Sequence, residues 1–506
     1  MSLAIAYSRA NIGIDAPLVT VETHLSNGLP GFSIVGLPET AVRESKERVR
    51  SAIINSSLDF PAKRITVNLA PADLPKSGGR FDLAIATGIL LASGQLPADS
   101  LQNIELMGEL ALSGVLRPVP GVLPGLIAGR EQARLSIIPG ANAGEAGLLE
   151  GSEVRLCQHL LELCQHLHGQ KQLPYAKQMQ TAPRIYSETL DEVVGQEQAQ
   201  RALILAAAGG HNLLMSGPPG TGKTMLANRL RSLLPELNNK QALEVAAVRS
   251  ISKLNAVPAS CFEVPFRAPH HTASAVALVG GGRDLSPGEI TLAHNGVLFL
   301  DELAEFNPRV LEVLREPLES GSIEICRAAY RARLPAQFQL VAAMNPCPCG
   351  NYGDPQSDCR CTSERIKQYQ QRVSGPLLDR FDLHVELGKL SPAEREQLLI
   401  QRQDGKGKSR SAHIRKQVEL CRQRQLHRAD KSNAQLQQQE ILRDCNLSKA
   451  DKALLNKAME QLHLSTRAYF RILKVARTIA DFSAEDQIQS QHLLEAIAYR
   501  KFDRQL

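Results

Sequence analysis

Tryptophan is absent from this chain, and aromatic residues together make up only 4% of it. Aromatic stacking therefore cannot dominate the interior, and stability has to rest on aliphatic packing. At 43% hydrophobic residues, each domain still has enough apolar surface to bury a core. No run of about 18 apolar residues occurs, which argues against a membrane span. The opening stretch, MSLAIAYSRANIGIDAPL, lacks a charged region ahead of a long apolar core, so it does not read as a secretory signal. Neither sign of charge prevails: 58 Lys and Arg against 52 Asp and Glu leave +6. No internal repeat is found. A cytosolic protein is expected, and 506 residues suggest about three to four domains.

The positive excess is uneven. Residues 401–430 carry nine basic residues (Arg402, Lys406, Lys408, Arg410, Arg415, Lys416, Arg422, Arg424, Arg428) against three acids. Such a stretch suits either an anionic partner or a solvated surface. Ten cysteines are present, and Cys347, Cys349, Cys359 and Cys361 form one tight C-x-C…C-x-C cluster. Without an export signal, the clustering favours metal over disulfides. Four thiolates on a short Gly/Pro/Asp loop can close a tetrahedral Zn²⁺ site of structural type. The alternative is four thiols behaving as small apolar groups.

Residues 1–167 alternate short apolar runs with Gly/Pro turns and read as a mixed α/β domain. Strands are expected at 65–71 and 135–140, with an apolar helix at 80–93. Residues 168–183 are polar and Pro-punctuated, a linker. From 184 to 390 the pattern is strand–loop–helix units of α/β type. Residues 391–506 read as a basic helical segment followed by amphipathic helices, with Ser465 as an N-cap.

The strongest signal is Gly217-Pro218-Pro219-Gly220-Thr221-Gly222-Lys223-Thr224, between an apolar strand and a helix. It matches G-x-x-x-x-G-K-[ST] in the context that motif requires. Glycines turn backbone N–H groups toward phosphate oxygens, and the helix N-terminus adds positive potential. Lys223 is placed on the β/γ-phosphates of ATP and Thr224 on Mg²⁺. The apolar run at 296–300 ends in Asp301, suited to Mg²⁺, and Glu302, suited to activating water. The run at 340–344 ends in Asn345, which can position water or a γ-phosphate. Arg380 and Arg467 are candidate cations for transition-state charge, or else partners in surface ion pairs. Residues 321–338 read as a hairpin bearing Arg327, Tyr330, Arg331 and Arg333, either a DNA contact or an exposed edge with solubilising charge. His270 and His271 lie in 266–290 without a matching acid or Cys nearby, which favours turn packing or DNA contact over metal binding.

In this order, the phosphate loop, LFLDE, the strand-end Asn, LLDRFD and S-x-R resemble the marks of AAA+ ATPases. The chain resembles the branch that holds magnesium-chelatase motor subunits and MCM helicases. In that branch Arg380 matches the arginine finger and Arg467 the sensor-two arginine. The hairpin and the 266–290 insert match elements that project into a central pore. Segments 31–53, 67–86 and 266–274 resemble the ComM/YifB family over essentially the full length. That resemblance implies a homohexameric, ATP-dependent helicase acting on single-stranded or branched DNA. It promotes branch migration during recombination in natural transformation, with recombination proteins as further partners. A magnesium-chelatase-like motor acting on a protein partner is the alternative. Residues 106–133 resemble the Lon peptidase domain, but Arg80 and Leu123 stand where a Ser–Lys dyad would be. The expected architecture is a Lon-peptidase-like α+β domain, an AAA+ P-loop α/β core with the Cys insert at 346–362, and a helical C-terminal lid.

Overall fold

The computed structural model describes the chain except residues 1–2, 38, 152, 179–187, 253–261, 282–285, 327–330, 356, 395, 397–407 and 501–506. No described helix is long and apolar enough to cross a membrane.

The N-terminal part is built on a seven-stranded sheet. In spatial order its strands are Gly31–Val35, Arg64–Ala70, Leu18–Ser26, Leu3–Arg9, Ile104–Leu106, Leu135–Pro139 and Val154–Cys157. Burial alternates along Leu18–Ser26 and Arg64–Ala70. That period of two marks a sheet with one covered face. The cover is the helix Asp82–Ala92, all 11 residues of which are buried. The polar stretch from 168 does not leave this sheet at once, contrary to its linker composition. Ala176 N–H donates to the Val154 carbonyl and Leu156 N–H to the Pro174 carbonyl, while Leu173 is buried.

The central part is a parallel five-stranded sheet. Its order is Phe266–Arg267, Gly296–Leu300, Phe338–Met344, Leu213–Ser216 and Leu383–Glu386. Gly296–Leu300 is buried at every position, as a strand covered on both faces must be. The phosphate loop leaves the C-terminal end of Leu213–Ser216, flanked by the strands that carry Asn345 and Leu387. Ligands of open parallel sheets bind at this end.

The C-terminal helices pack onto that core. Ser465 caps the helix Thr466–Phe482 by accepting from Ala468 N–H at 3.2 Å. Several arginines of the basic stretch, among its described residues, are engaged within the fold. Arg422 is half-buried and donates to the Ala207 carbonyl (3.0 Å), Arg424 donates to the Asp481 carbonyl (2.6 Å), and Arg428 pairs with Asp481 (2.7 Å). Arg415 meets Glu236 and Glu419. Helix Lys408–Ala429 thus uses much of its charge inside the fold, where the acceptors come from segments up to about 200 residues away and leave no local sequence signal.

One acid ties the strand Leu383–Glu386 region to the helix Thr466–Phe482. Asp382 accepts from Arg471 at 2.8 Å and from Asn212 N–H at 3.0 Å, and His211 lies 3.5 Å away. Arg471 and His211 hold its carboxyl well below the usual range against the opposing effect of burial. His211 in turn bonds Thr478 of the lid helix at 2.7 Å.

The two large parts also touch. Gly121 N–H donates to the Ser250 carbonyl at 2.8 Å, and Leu123 N–H meets Ser250 Oγ at 3.4 Å and Glu145 at 3.1 Å. Ser250, at the end of helix Asn239–Ile251, also donates to Glu145. Arg80 is fully buried beside this contact and donates to the Gly121 carbonyl at 3.1 Å; burial pushes its pKa down to about 10. Elsewhere, a Cβ at Gly13 would come within 2.9 Å of Leu334 in the 322–335 hairpin.

Removing Asp382 strands Arg471 and His211 in the interior. Breaking a buried pair of this kind costs roughly 3–5 kcal/mol. Asp382→Ala is expected to lower the urea midpoint accordingly, with Asp382→Asn in between. A midpoint within error of the parent would show that the lid is held by other contacts.

Candidate nucleotide-binding site

Gly217 starts the phosphate loop where a Cβ would strike the Leu387 carbonyl, so only glycine fits. Gly220 and Gly222 follow at φ +78° and +89°, left-handed values that side chains disfavour. The loop runs into helix Lys223–Leu233. Thr221 is buried and donates to the Pro218 carbonyl at 2.9 Å, tying the loop across itself.

Lys223 is buried. Its ammonium donates to the Gly217 carbonyl (2.6 Å), the Pro218 carbonyl (2.8 Å) and Asn345 Oδ1 (3.1 Å). Burial pushes its pKa down to about 8, partly offset by Asp301 and Glu302. A desolvated cation among neutral acceptors at a helix N-terminus fits a polyphosphate, which supplies the missing counter-charge. Thr224 Oγ1 donates to Asp301 Oδ2 at 2.6 Å. A hydroxyl and a carboxylate so placed are hard oxygen ligands and fit Mg²⁺. The sequence-predicted Lys223, Thr224, Asp301 and Asn345 are therefore brought together by three adjacent strands.

Glu302 is exposed, and its backbone is left-handed at φ +54°. Strained backbone at a non-glycine residue collects at functional sites. Its carboxylate meets His271 Nδ1 at 3.1 Å, and the His271 ring stacks on His270 at 4.1 Å. His271 thus has an acid partner that sequence spacing did not reveal, because Glu302 lies 31 residues further on, across the sheet. The only hint in the sequence was a paired histidine in an otherwise uncharged turn.

Arg380 and Arg467 are placed elsewhere. Arg380 is 6% exposed and pairs with Glu319, while also donating to the Pro376 carbonyl. Burial lowers its pKa; Glu319 opposes this, and Arg315, Arg467 and Arg471 reinforce it. These arginines therefore form one cluster. The bonds of Lys223 run instead to Gly217, Pro218 and Asn345. Arg467 is exposed at the start of the lid helix.

The hairpin expected at 321–338 is present as Ser322–Cys326 paired antiparallel with Arg331–Pro335. Arg331 and Arg333 are exposed on one face, and Ala332 and Leu334 are buried on the other. Arg327 and Tyr330 lie outside the described residues.

The four cysteines converge: the Sγ atoms of Cys347, Cys349, Cys359 and Cys361 all lie within 4.8 Å of one another and can hold a metal ion. Backbone N–H groups of Asn351 and Arg360 bring the Cys349 thiol down to about 6.

Comparison with known proteins agrees with this geometry. Residues 189–395 match the family described as magnesium chelatase, subunit ChlI. Residues 21–142 match subunit ChlI of Mg-chelatase, and residues 408–500 match its C-terminal part. The competence protein ComM of Haemophilus influenzae is 52% identical over 511 residues, covering 100% of this chain and 99% of that protein. The chain belongs to the ComM/YifB family of magnesium-chelatase-like proteins. YifB of Escherichia coli, in the same family, is 49% identical over 506 residues, covering 100% of this chain and 98% of that protein. The magnesium-chelatase 38 kDa subunit of Cereibacter sphaeroides is more distant, at 25% identity over 44% of this chain and 66% of that protein. Membership of this AAA+ family implies ATP hydrolysis with Mg²⁺.

The His271–Glu302 pair occupies the carboxylate that would accept a proton from water. Replacing His271 with Ala is expected to raise basal ATP turnover severalfold, read as phosphate release at saturating ATP. Unchanged or lower turnover would show that His271 does not restrain Glu302.

Proposed function

We propose that the chain is an ATP-driven motor that works as a homohexamer and moves DNA, single-stranded or branched. In this reading it promotes branch migration while incoming DNA recombines in natural transformation, alongside recombination proteins. The observation that carries the motor reading is the division of charge. Lys223 is bonded to Asn345 and Thr224 to Asp301, whose carboxylate also accepts from the Glu302 N–H. Arg380 pairs instead with Glu319 and Arg471 with Asp382. Phosphoryl transfer needs cations against the γ-phosphate. A copy docked so that its arginine edge faces the next copy's phosphate loop completes each site.

The roles follow from the positions. Lys223 and the loop N–H groups hold the phosphates, and Thr224 and Asp301 hold Mg²⁺. Bound Mg²⁺ neutralises charge on the phosphate oxygens. Glu302 takes the proton from water, and Asn345 fixes the geometry between water and phosphate. Arg380 exchanges Glu319, whose side chain is 63% exposed, for the neighbour's γ-phosphate. Arg467 approaches from the same edge.

DNA as the track is supported by the ComM relative and by the exposed Arg331 and Arg333 on the hairpin. Together with Arg327 and Tyr330 they suit phosphate and base contact. The N-terminal part is read as a Lon-like fold whose dyad positions are Arg80 and Leu123, both buried, which leaves no nucleophile or base there. The four-thiol cluster is read as a structural Zn²⁺ site. A chelatase-like motor on a protein partner has the support of the distant 38 kDa subunits.

Polynucleotide should stimulate ATP hydrolysis severalfold. The double change Arg331→Ala, Arg333→Ala should lower stimulated hydrolysis more than unstimulated, with a weaker salt dependence. Hydrolysis indifferent to every polynucleotide would remove DNA from the account.

The shared site has its own test. Lys223→Ala and Arg380→Ala should each be inactive alone. Mixing them should recover activity, because Arg380→Ala copies keep the loop and Lys223→Ala copies keep the arginine. No recovery in mixed assemblies would place Arg380 in its own chain's site.

A further inference from the structure

The strands and loops around the phosphate loop account for its two flanks but not for Pro219 at its turn. That turn abuts the cysteine knuckle. Gly350 sits at φ +81° with its Cβ position 2.5 Å from Pro219 Cδ, so the Pro219 ring packs directly on the Gly350 backbone. The knuckle begins two residues after Asn345, the residue that accepts from Lys223. Its far end is tied by Asp354 to Lys389 at 2.7 Å, and Ser357 accepts from the same ammonium. Lys389 follows Leu387, whose carbonyl packs on Gly217 and whose N–H donates to the Ser216 carbonyl. The 346–362 segment therefore spans from one side of the phosphate loop to the other.

This span has little hydrophobic core of its own. Cys347 is buried, but Cys349 is exposed and Cys359 and Cys361 are half-buried. The sulfurs supply the order instead. The Sγ separations are 3.4 Å for Cys347–Cys349, 3.8 Å for Cys347–Cys359 and 3.7 Å for Cys349–Cys359. A tetrahedron with Zn–S bonds of about 2.3 Å has sulfurs about 3.8 Å apart. Backbone N–H groups of Gly350 and Tyr352 face the Cys347 sulfur, and those of Asn351 and Arg360 face Cys349. Such outer contacts fix metal ligands in place.

We propose that Cys347, Cys349, Cys359 and Cys361 hold one Zn²⁺ that braces the phosphate loop, keeping the 346–362 knuckle rigid between Pro219, Asn345 and Lys389. All four ligands come from protein, so the ion is structural and has no place for substrate. The brace acts on the phosphates in ground and transition states alike. Its loss therefore raises KM for ATP more than it lowers kcat. The inference rests on the reading of 217–224 as the ATP site and on zinc as the ion.

The test uses the full chain, with ATP kinetics in the absence of polynucleotide. Elemental analysis should find one zinc per chain. Cys349→Ser with Cys361→Ser should lose it and raise KM for ATP about tenfold, the scale of a loop misplaced by less than 1 Å. Gly350→Ala should keep the zinc yet raise KM in the same direction, because its Cβ wedges Pro219. Wild-type protein stripped with a thiol reagent and chelator should recover its KM when the thiols are freed and zinc is restored. A purified chain without zinc, or one coloured by iron, overturns the zinc assignment while leaving the ATP site intact. Zinc present in wild type, but KM unchanged in both variants, overturns the brace. If the double cysteine variant does not fold, Gly350→Ala decides alone.

Discussion

The contact between Asp382 and Arg471 sets the geometry on which the other parts rely. Asp382 lies two residues after Arg380, and Arg471 lies one helical turn after Arg467. Their 2.8 Å pair joins the core strand Leu383–Glu386 to the lid helix Thr466–Phe482. Both candidate transition-state arginines are thereby carried on one rigid edge. A buried acid is stable there only because Arg471, His211 and a backbone N–H share its charge. The same acid therefore joins the strand that follows Arg380 to the helix that Arg467 begins.

The phosphate loop is a second constraint, and it works by exclusion. A Cβ cannot enter between Gly217 and the Leu387 carbonyl, or between Gly350 and Pro219. The loop is thus confined by backbone on two sides and tied by Asn345 to a third strand. Lys223 keeps a lowered pKa because that confinement keeps water out. Glu302, by contrast, projects from a left-handed turn into the exposed rim, where His271 meets it.

Much of this was legible in the sequence. Strands buried on both faces read as unbroken apolar runs, and 296–300 and 340–344 were recognisable for that reason. Lys223 and Thr224 follow because the motif fixes its own strand and helix, and Asp301 and Asn345 because each ends one of those apolar runs. What was not legible depends on pairing across long separations. The basic residues 401–430 suited either an anionic partner or a solvated surface, but Arg415, Arg422 and Arg424 have acceptors at Glu236, Ala207 and Asp481. His271 looked partnerless because Glu302 reaches it only once the sheet is folded. Residues 173–176 looked like linker because edge pairing by backbone groups demands no apolar pattern.

The contact of Ile12 and Gly13 with the hairpin changes how the molecule divides. A two-stranded ribbon is marginal in water unless something covers a face. Ala332 and Leu334 form the covered face here, and Ile12 from the N-terminal part packs in the same cluster. The arginine-bearing ribbon is thus roofed by a segment more than 300 residues earlier in the chain. The N-terminal part thus covers one face of the ribbon, which also packs on the central sheet.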